Sequence, residues 1–338
     1  MTSNFTKISI VTAIFLGLAS YSVLKNKDSN LFSERGNTFI ENLPSKLNEI
    51  QKIKITGRDL DMELINKNNS FIETSGYPFK ANVWESFITS LSLLRIEEKK
   101  TNNPERHNEL NLVAIDKFKE NDDDDNEPAT KITFFTKDKK VFKSILLGKI
   151  DNTVGGISGG QFARYDKDNQ AYLLKGALRM PSGKSDWFNS LLLKLDQEKL
   201  SSISVKRKKI IFEIESKDRK LSLKNNPDLK IDEEKLKQVA EVIDAFYFYD
   251  VRKVNKIKKN NNNTISYEFK DGLILELKFI EKSKDSKESW IEISAQSNNP
   301  KTINEANDLN KKTKGYQFLA NINTSVIFNW NIKDLIKK

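Results

Sequence analysis

The sequence predicts an α+β protein of two related halves. Each half has antiparallel β-strands and one amphipathic helix, and a single N-terminal transmembrane helix precedes them. Three observations carry this reading. An uncharged apolar run opens the chain. Alternating apolar and polar segments then occur in two sets, in the same order. Within each set a stripe of helical period follows the first strand-like segments.

The opening run is Ile8 to Leu24, bracketed by Lys7 before it and by Lys25 and Lys27 after it. At the rise of an α-helix it reaches about 25 Å, the short end of what spans a bilayer. The positive flank after the run predicts an uncleaved anchor. Gly17-Leu18-Ala19 would suit a signal-peptide cleavage site, so the cleaved alternative stays open. Lys7 lies on one side and Lys25, Lys27 and Arg35 on the other, so charge counting does not favour export. Long domains translocate largely regardless of such charge. The expectation is a single-pass protein of the cytoplasmic membrane, its body in the periplasm or outside the cell. The expected segments are 1–30 for the anchor, 31–196 for the first repeat and 197–338 for the second.

The first half opens with Ile53-Lys54-Ile55 and Met62-Glu63-Leu64 in alternating sequence. The second opens with Ile203-Ser204-Val205 and Phe212-Glu213-Ile214 at one constant offset, and Leu221 answers Phe71 at the same offset. Period-2 alternation is that of a half-buried strand. The helical stripes follow: Trp84, Phe87, Ile88, Leu91 and Leu94, then Leu236, Val239, Ala240, Ile243 and Phe246. Spacings of three and four place each set on one helical face. Asn82 with Glu85, and Asp232, stand where N-caps belong. Pro78 and Pro227 sit in the loops just before.

A second strand block closes the comparison. KITFFTKDKKVF from Lys131 parallels TISYEFKDGLIL from Thr264. Lys137-Asp138 and Asp271-Gly272 fall where hairpin turns are expected. A longer connection, Glu97 to Thr130, joins helix and strand in the first half. Residues 256–263 read as a polar turn. Residues 297–314, rich in Asn and Lys, read as an exposed loop.

Composition narrows the function. The chain has 338 residues, 37% hydrophobic and 31% charged, enough for about two domains with buried cores. The net charge of +10 comes from Lys scattered among Asp and Glu, which predicts a solvated surface. No basic patch interleaves with aromatics in a nucleic-acid motif, so no nucleic-acid partner is expected. There is no cysteine and one histidine, His107. This removes disulfides and thiolate chemistry and leaves no material for a His-based triad or a multi-His metal site.

Several segments offer candidate sites. Pro104-Glu105-Arg106-His107 offers a cation that could grip an anionic group, with His107 beside it. The plainer reading has Glu105 and Arg106 tie a helix end to a neighbouring strand, with Pro104 setting the turn. The glycines Gly155, Gly156, Gly159 and Gly160 resemble a phosphate cradle, but the chain continues into Gln161-Phe162-Ala163-Arg164-Tyr165 rather than a helix. A loop between strands is the plainer reading. Ligand contact through its amides, helped by Arg164, is the functional one. Asp122 to Asp125 lack the spaced ligands and central glycine of a calcium loop and read as a solvated run. Ala245 to Tyr249 and Trp290 fit a helix end and strand core. No catalytic residue, metal ligand or cofactor is expected.

One family has this pattern. Gly76-Tyr77-Pro78 precedes the helix, Arg95 to Glu97 close it, and Lys100-Thr101-Asn102-Asn103-Pro104-Glu105-Arg106 follows. Then come the glycine-rich turn, Phe162-Ala163-Arg164-Tyr165, and Ala171-Tyr172-Leu173-Leu174-Lys175-Gly176. From about Asn42 to the C-terminus the chain resembles the bacterial domain-of-unknown-function family 4340. Lys80 and His107 depart from the usual pattern, which has an acidic and a tyrosine residue there. The resemblance implies an N-terminal anchor and a duplicated α+β domain, with no catalytic residues to carry over. It also implies kinship with auxiliary components of gliding-motility-type ABC transporters. The expected function is therefore a membrane-anchored binding or scaffold protein, an accessory to an envelope ABC transporter. The alternative is a periplasmic module for a glycan or anionic polymer, and an enzyme is the least favoured reading.

Overall fold

A computed structural model describes residues 33–68, 70–119, 126–154, 159–218, 220–226, 229–254, 263–284 and 287–337. The 8–24 run, Gly155, Gly156, Asp122 to Asp125, Pro227 and residues 256–262 lie outside these. Among the described residues no helix is long and apolar enough to cross a membrane. The chain divides into two compact units. One holds the described residues up to Phe71 together with Ala81–Ser182, the other Ile72–Lys80 with Gly183–Lys338.

The first sheet has eight strands: β1 Ile50–Thr56, β2 Asp61–Lys67, β3 Ser70–Glu73, β4 Arg95–Lys99, β5 Thr130–Thr136, β6 Val141–Asp151, β7 Gly160–Tyr165 and β8 Ala171–Lys175. Their spatial order is β3-β2-β1-β5-β6-β7-β8-β4. The second sheet holds β9 Leu191–Leu193, β10 Leu200–Arg207, β11 Lys209–Lys217, β12 Lys220–Leu223, β13 Phe246–Lys253, β14 Asn263–Phe269, β15 Leu273–Lys282, β16 Ser289–Ser297 and β17 Tyr316–Ala320. Its order is β12-β11-β10-β14-β15-β16-β17-β13-β9. Reading β10 for β1 and onward, the second order repeats the first and adds β9 at the edge.

Register follows the alternation. Ile53 faces Leu64 and Phe134 across β1, and Ile203 faces Ile214 and Tyr267 across β10. Both central strands carry an irregularity near their start, at Ile50/Lys52 and at Leu200/Ser202. Ile50, Ile53 and Ile55 are fully buried, and Lys52 and Lys54 turn the other way to pair with Glu63 and Asp61. A one-residue slip would move every lysine of that row into the core. Hairpin turns sit at Lys137-Asp138 and Asp271-Gly272. Lys139 and Gly272 take positive φ, at 60° and 86°. Asn68 and Asp218 do the same between β2 and β3 and between β11 and β12.

The described helices are α1 Leu43–Lys46, α2 Val83–Leu93, α3 Glu233–Glu241, α4 Ile303–Thr313 and α5 Ile322–Ile327. In α2 the stripe buries Phe87 and Leu91, and in α3 Leu236, Val239 and Ala240. The buried Tyr267 hydroxyl donates to Val239 O at 2.9 Å, which ties α3 to β14. Asp232 caps α3 by accepting from Glu234 N at 3.1 Å. Asn82 occupies the cap position of α2 in a left-handed conformation and makes no side-chain cap bond.

Three local expectations change. Arg95 to Glu97 do not close the helix, because Leu94 turns extended and β4 begins at Arg95. Phe246 to Tyr249 belong to strand β13, with Phe246 and Phe248 buried and Tyr247 and Tyr249 exposed. Residues 303–313 form a helix, not a loop. Ala306, Leu309 and Thr313 recur at spacings of three and four and are buried, a stripe masked by the surrounding Asn and Lys.

Candidate functional site

In the first unit the segment after β4 folds as two short 3₁₀ turns, Pro104–Arg106 and Asn108–Leu110. Asn103 caps the first, its Oδ1 accepting from Glu105 N at 3.1 Å. Glu105 and Arg106 do not reach a neighbouring strand. The Arg106 guanidinium is exposed and donates to Glu109, with Nη2 to Oε2 at 3.0 Å. The adjacent His107 points inward, 4% exposed. Its Nε2 is 2.9 Å from Asn169 O, so that nitrogen carries the proton and donates. Burial pulls the His107 pKa below its ordinary value, and the Arg164 cation adds to this against the Asn169 carbonyl.

Arg164, on β7, is also buried. Its Nε donates to Leu112 O at 3.0 Å, and its Nη1 faces the carbonyls of Tyr165, Asp166 and Asp168 at 3.2, 3.1 and 3.0 Å. The structure thus brings His107 and Arg164 together, and both fasten the 104–112 segment to the β7–β8 turn. Gly148 on β6 completes the fit, since a Cβ there would lie 2.1 Å from Leu110 O.

Gly159 and Gly160 stand at the start of β7. Gly159 has φ of 72°, and its carbonyl accepts from Gly176 N at 2.9 Å. A Cβ on Gly160 would meet Leu174 O at 3.0 Å, so close strand packing accounts for this glycine. Gly160 and Arg164 lie four positions apart on β7, about 13 Å of extended chain. Gly159 and Gly160 therefore do not converge with Arg164.

The second unit holds a polar cluster that sequence reading missed. Glu73 is 1% exposed. Lys184 Nζ lies 3.2 Å from its Oε1 and 2.7 Å from Asp250 Oδ1. Burial pushes the Glu73 carboxyl up, but hydrogen bonds from Ser75 and Thr74 and the charge of Lys184 together hold it below the ordinary range. Three residues so far apart in sequence leave no local signal. Beside Glu73 in sequence, Tyr77 is surrounded by rings: Phe188, Phe248, Tyr316 and Phe318 lie 5.0–5.8 Å from it, all near perpendicular. The Tyr316 hydroxyl donates to Gly76 O at 3.0 Å. Burial, then Tyr316, pushes the Tyr77 phenol up to about 12. Gly76-Tyr77-Pro78 is thus an anchor of the second unit's core.

The second unit also carries an open groove of about 540 Å³. It forms where the sheet splits. β16 pairs with β17 only over Ser289–Ile291, opposite Ala320–Phe318. β17 then follows β13 through Gln317 and Tyr316, while β16 continues along β15 to Ser297. Asn310 of α4 stands in for the missing strand, its Oδ1 accepting from Ala295 N at 2.9 Å and its Nδ2 donating to Ala295 O at 2.7 Å. One wall carries Glu276, Lys278, Glu292, Ser294 and Gln296, the other Asn307, Asn310, Thr313, Lys314 and Tyr316. A chain of polar contacts leads to Glu292 of its lining. Arg252 lies over the Trp290 ring at 4.1 Å and donates to Glu281 at 2.8 Å and to Gln317 Oε1 at 2.9 Å. Gln317, 4% exposed, donates in turn to Glu292 Oε1 at 2.9 Å.

Among the described residues no group of three or more His, Cys, Asp or Glu is placed to hold a metal ion. No curated protein and no solved structure matches the chain. One family model does match, over residues 70–264, and it is described as Domain of unknown function (DUF4340). That match spans the α2 helix, the His107–Arg164 clasp and the strands up to the start of β14, and the chain therefore belongs to the DUF4340 family.

Proposed function

We propose that the chain is a non-catalytic binding or scaffold protein. In this reading the apolar run of residues 8–24 holds it in the cytoplasmic membrane, with both α+β units outside the cytoplasm. Its role is that of an accessory component of an envelope complex, such as an ABC transporter. The supporting observation is the form of the sheets. Each is broad and antiparallel; the central strands bury Ile50, Ile53 and Ile55, and Leu200, Ile203 and Val205, and β1 turns Lys52 and Lys54 the other way. Such faces suit contact with a protein partner better than enclosure of a substrate.

The two units are read here as products of one duplication. Strand order, the paired registers of β1 and β10, and the matching irregularities at Ile50/Lys52 and Leu200/Ser202 support that reading. A pair of adhering platforms on one chain is what a scaffold uses to engage two sites at once.

The deciding experiment is a crosslinked pull-down of tagged full-length protein from native membranes, read by mass spectrometry. Near-stoichiometric transporter or other envelope subunits are expected. Recovery of a lone monomer from mild detergent would overturn the accessory role. The chain has no cysteine, so Ser283→Cys supplies a unique probe of topology. An impermeant maleimide should label it without lysis of the cytoplasmic membrane, and labelling only after lysis would refute the extracytoplasmic placement.

A further inference from the structure

We propose that the groove between β16 and the α4–β17 connection binds a neutral oligosaccharide. The inference goes beyond the accessory role, and neither outcome of the membrane pull-down bears on it.

Four features of the groove carry it. The first is lining chemistry. Asn307, Gln296 and Ser294 offer amides and a hydroxyl that both donate and accept, while Asn310, Thr313 and Tyr316 are held by Ala295, Leu309 O and Gly76 O. A sugar ring, dense in hydroxyls, matches that alternation, whereas an apolar ligand would strand it. The second is charge. Among the described lining residues two lysines, Lys278 and Lys314, balance two glutamates, Glu276 and Glu292, in a chain of net charge +10. A lining with no net charge gives a polyanion no electrostatic advantage over a neutral ligand.

The third feature is preorganisation. The side chain of Glu292 is held by Gln317, which is itself held by Arg252 braced on Trp290 and Glu281. A buried glutamine that spends both amide atoms orienting a groove carboxylate reduces the ordering cost of binding. The fourth is the sheet edge. An extended peptide would seek the free main chain of β16. Asn310 already occupies the N–H and C=O of Ala295, which interrupts such pairing. The groove is open along its length and about 540 Å³ in volume, within the range of small-ligand sites.

The test is titration of the full-length protein with cellohexaose and chitohexaose, followed by NMR and calorimetry, with polygalacturonate as the anionic probe. One neutral sugar is expected to shift the amides of Ser294, Gln296 and Asn307. Its affinity should be nearly independent of salt. Asn307→Ala and Glu292→Gln should each weaken binding about tenfold with unchanged melting temperature, the effect of losing one well-placed hydrogen bond. Asn307 is exposed and the Glu292 change is isosteric, so both variants should fold. No shift of those amides by either sugar would overturn the proposal. So would binding that survives both substitutions, or polygalacturonate shifting them in place of the sugars.

Discussion

Replacing Gly148 by alanine tests the arrangement around His107 and Arg164. The added Cβ would lie 2.1 Å from Leu110 O, 3.0 Å from Asn111 O and 3.0 Å from Leu112 Cδ2. The first contact is with backbone, which cannot swing aside as a side-chain tip does. Relief requires the Leu110 peptide to retreat by about 1 Å. That peptide is held on both sides, because Leu110 N and Leu112 N both donate to His107 O, at 3.2 and 2.9 Å. Overpacking costs about 1–3 kcal/mol where side chains can adjust, so a fixed backbone places this change near the top, about 3 kcal/mol. For a unit of this size each kcal/mol moves the midpoint by about 2–4 °C, so the melting temperature should fall by about 6–12 °C. Gly183→Ala is the control, since its nearest neighbour would be an ordinary 3.7 Å away. Differential scanning calorimetry of both variants reads the effect, and hydrogen exchange should rise across 104–112 in the first alone. A Gly148→Ala protein that melts within about 2 °C of the parent would refute the close docking of this segment.

Two further perturbations follow from the buried charges. Lys184→Met leaves the Glu73 carboxylate without its cation in a site 1% exposed, and should cost about 3–5 kcal/mol by chemical denaturation. Adding Glu73→Gln should restore part of that loss, and no recovery would show that the ion pair is not the cause. His107 has a folded pKa below its unfolded value near 6.5, because burial favours the neutral ring. Its contribution is therefore complete above that value and declines as pH falls below it, toward the folded pKa. Between about pH 7.5 and about pH 5.5, His107→Gln should flatten the fall in melting temperature, and an unchanged slope would count against the buried neutral ring.

What sequence determined by itself is the periodic part of the molecule. Ile53 and Ile203, each opening a short alternating run, predict central strands with one apolar face. The structure pairs them in matching registers, and in β1 that register keeps Lys52 and Lys54 out of the core. Leu236, Val239 and Ala240 predict α3, and Asp271-Gly272 predicts the hairpin turn, since each is a local preference that packing reinforces. Composition misled where it replaced period: the Asn and Lys of 297–314 hid the Ala306–Leu309–Thr313 stripe of α4.

Tertiary structure alone decided the rest, because the deciding partners are distant in sequence. Nothing local distinguishes Arg106, exposed beside Glu109, from Arg164, whose donors are directed at four carbonyls. Glu73, Lys184 and Asp250 meet only when the strands that carry them are assembled. The groove depends on β17 leaving β16 after three pairs and on Asn310 taking up Ala295. A strand's pattern sets which face it buries, but where two strands part is settled by the competing neighbours of each, here β13 against β16.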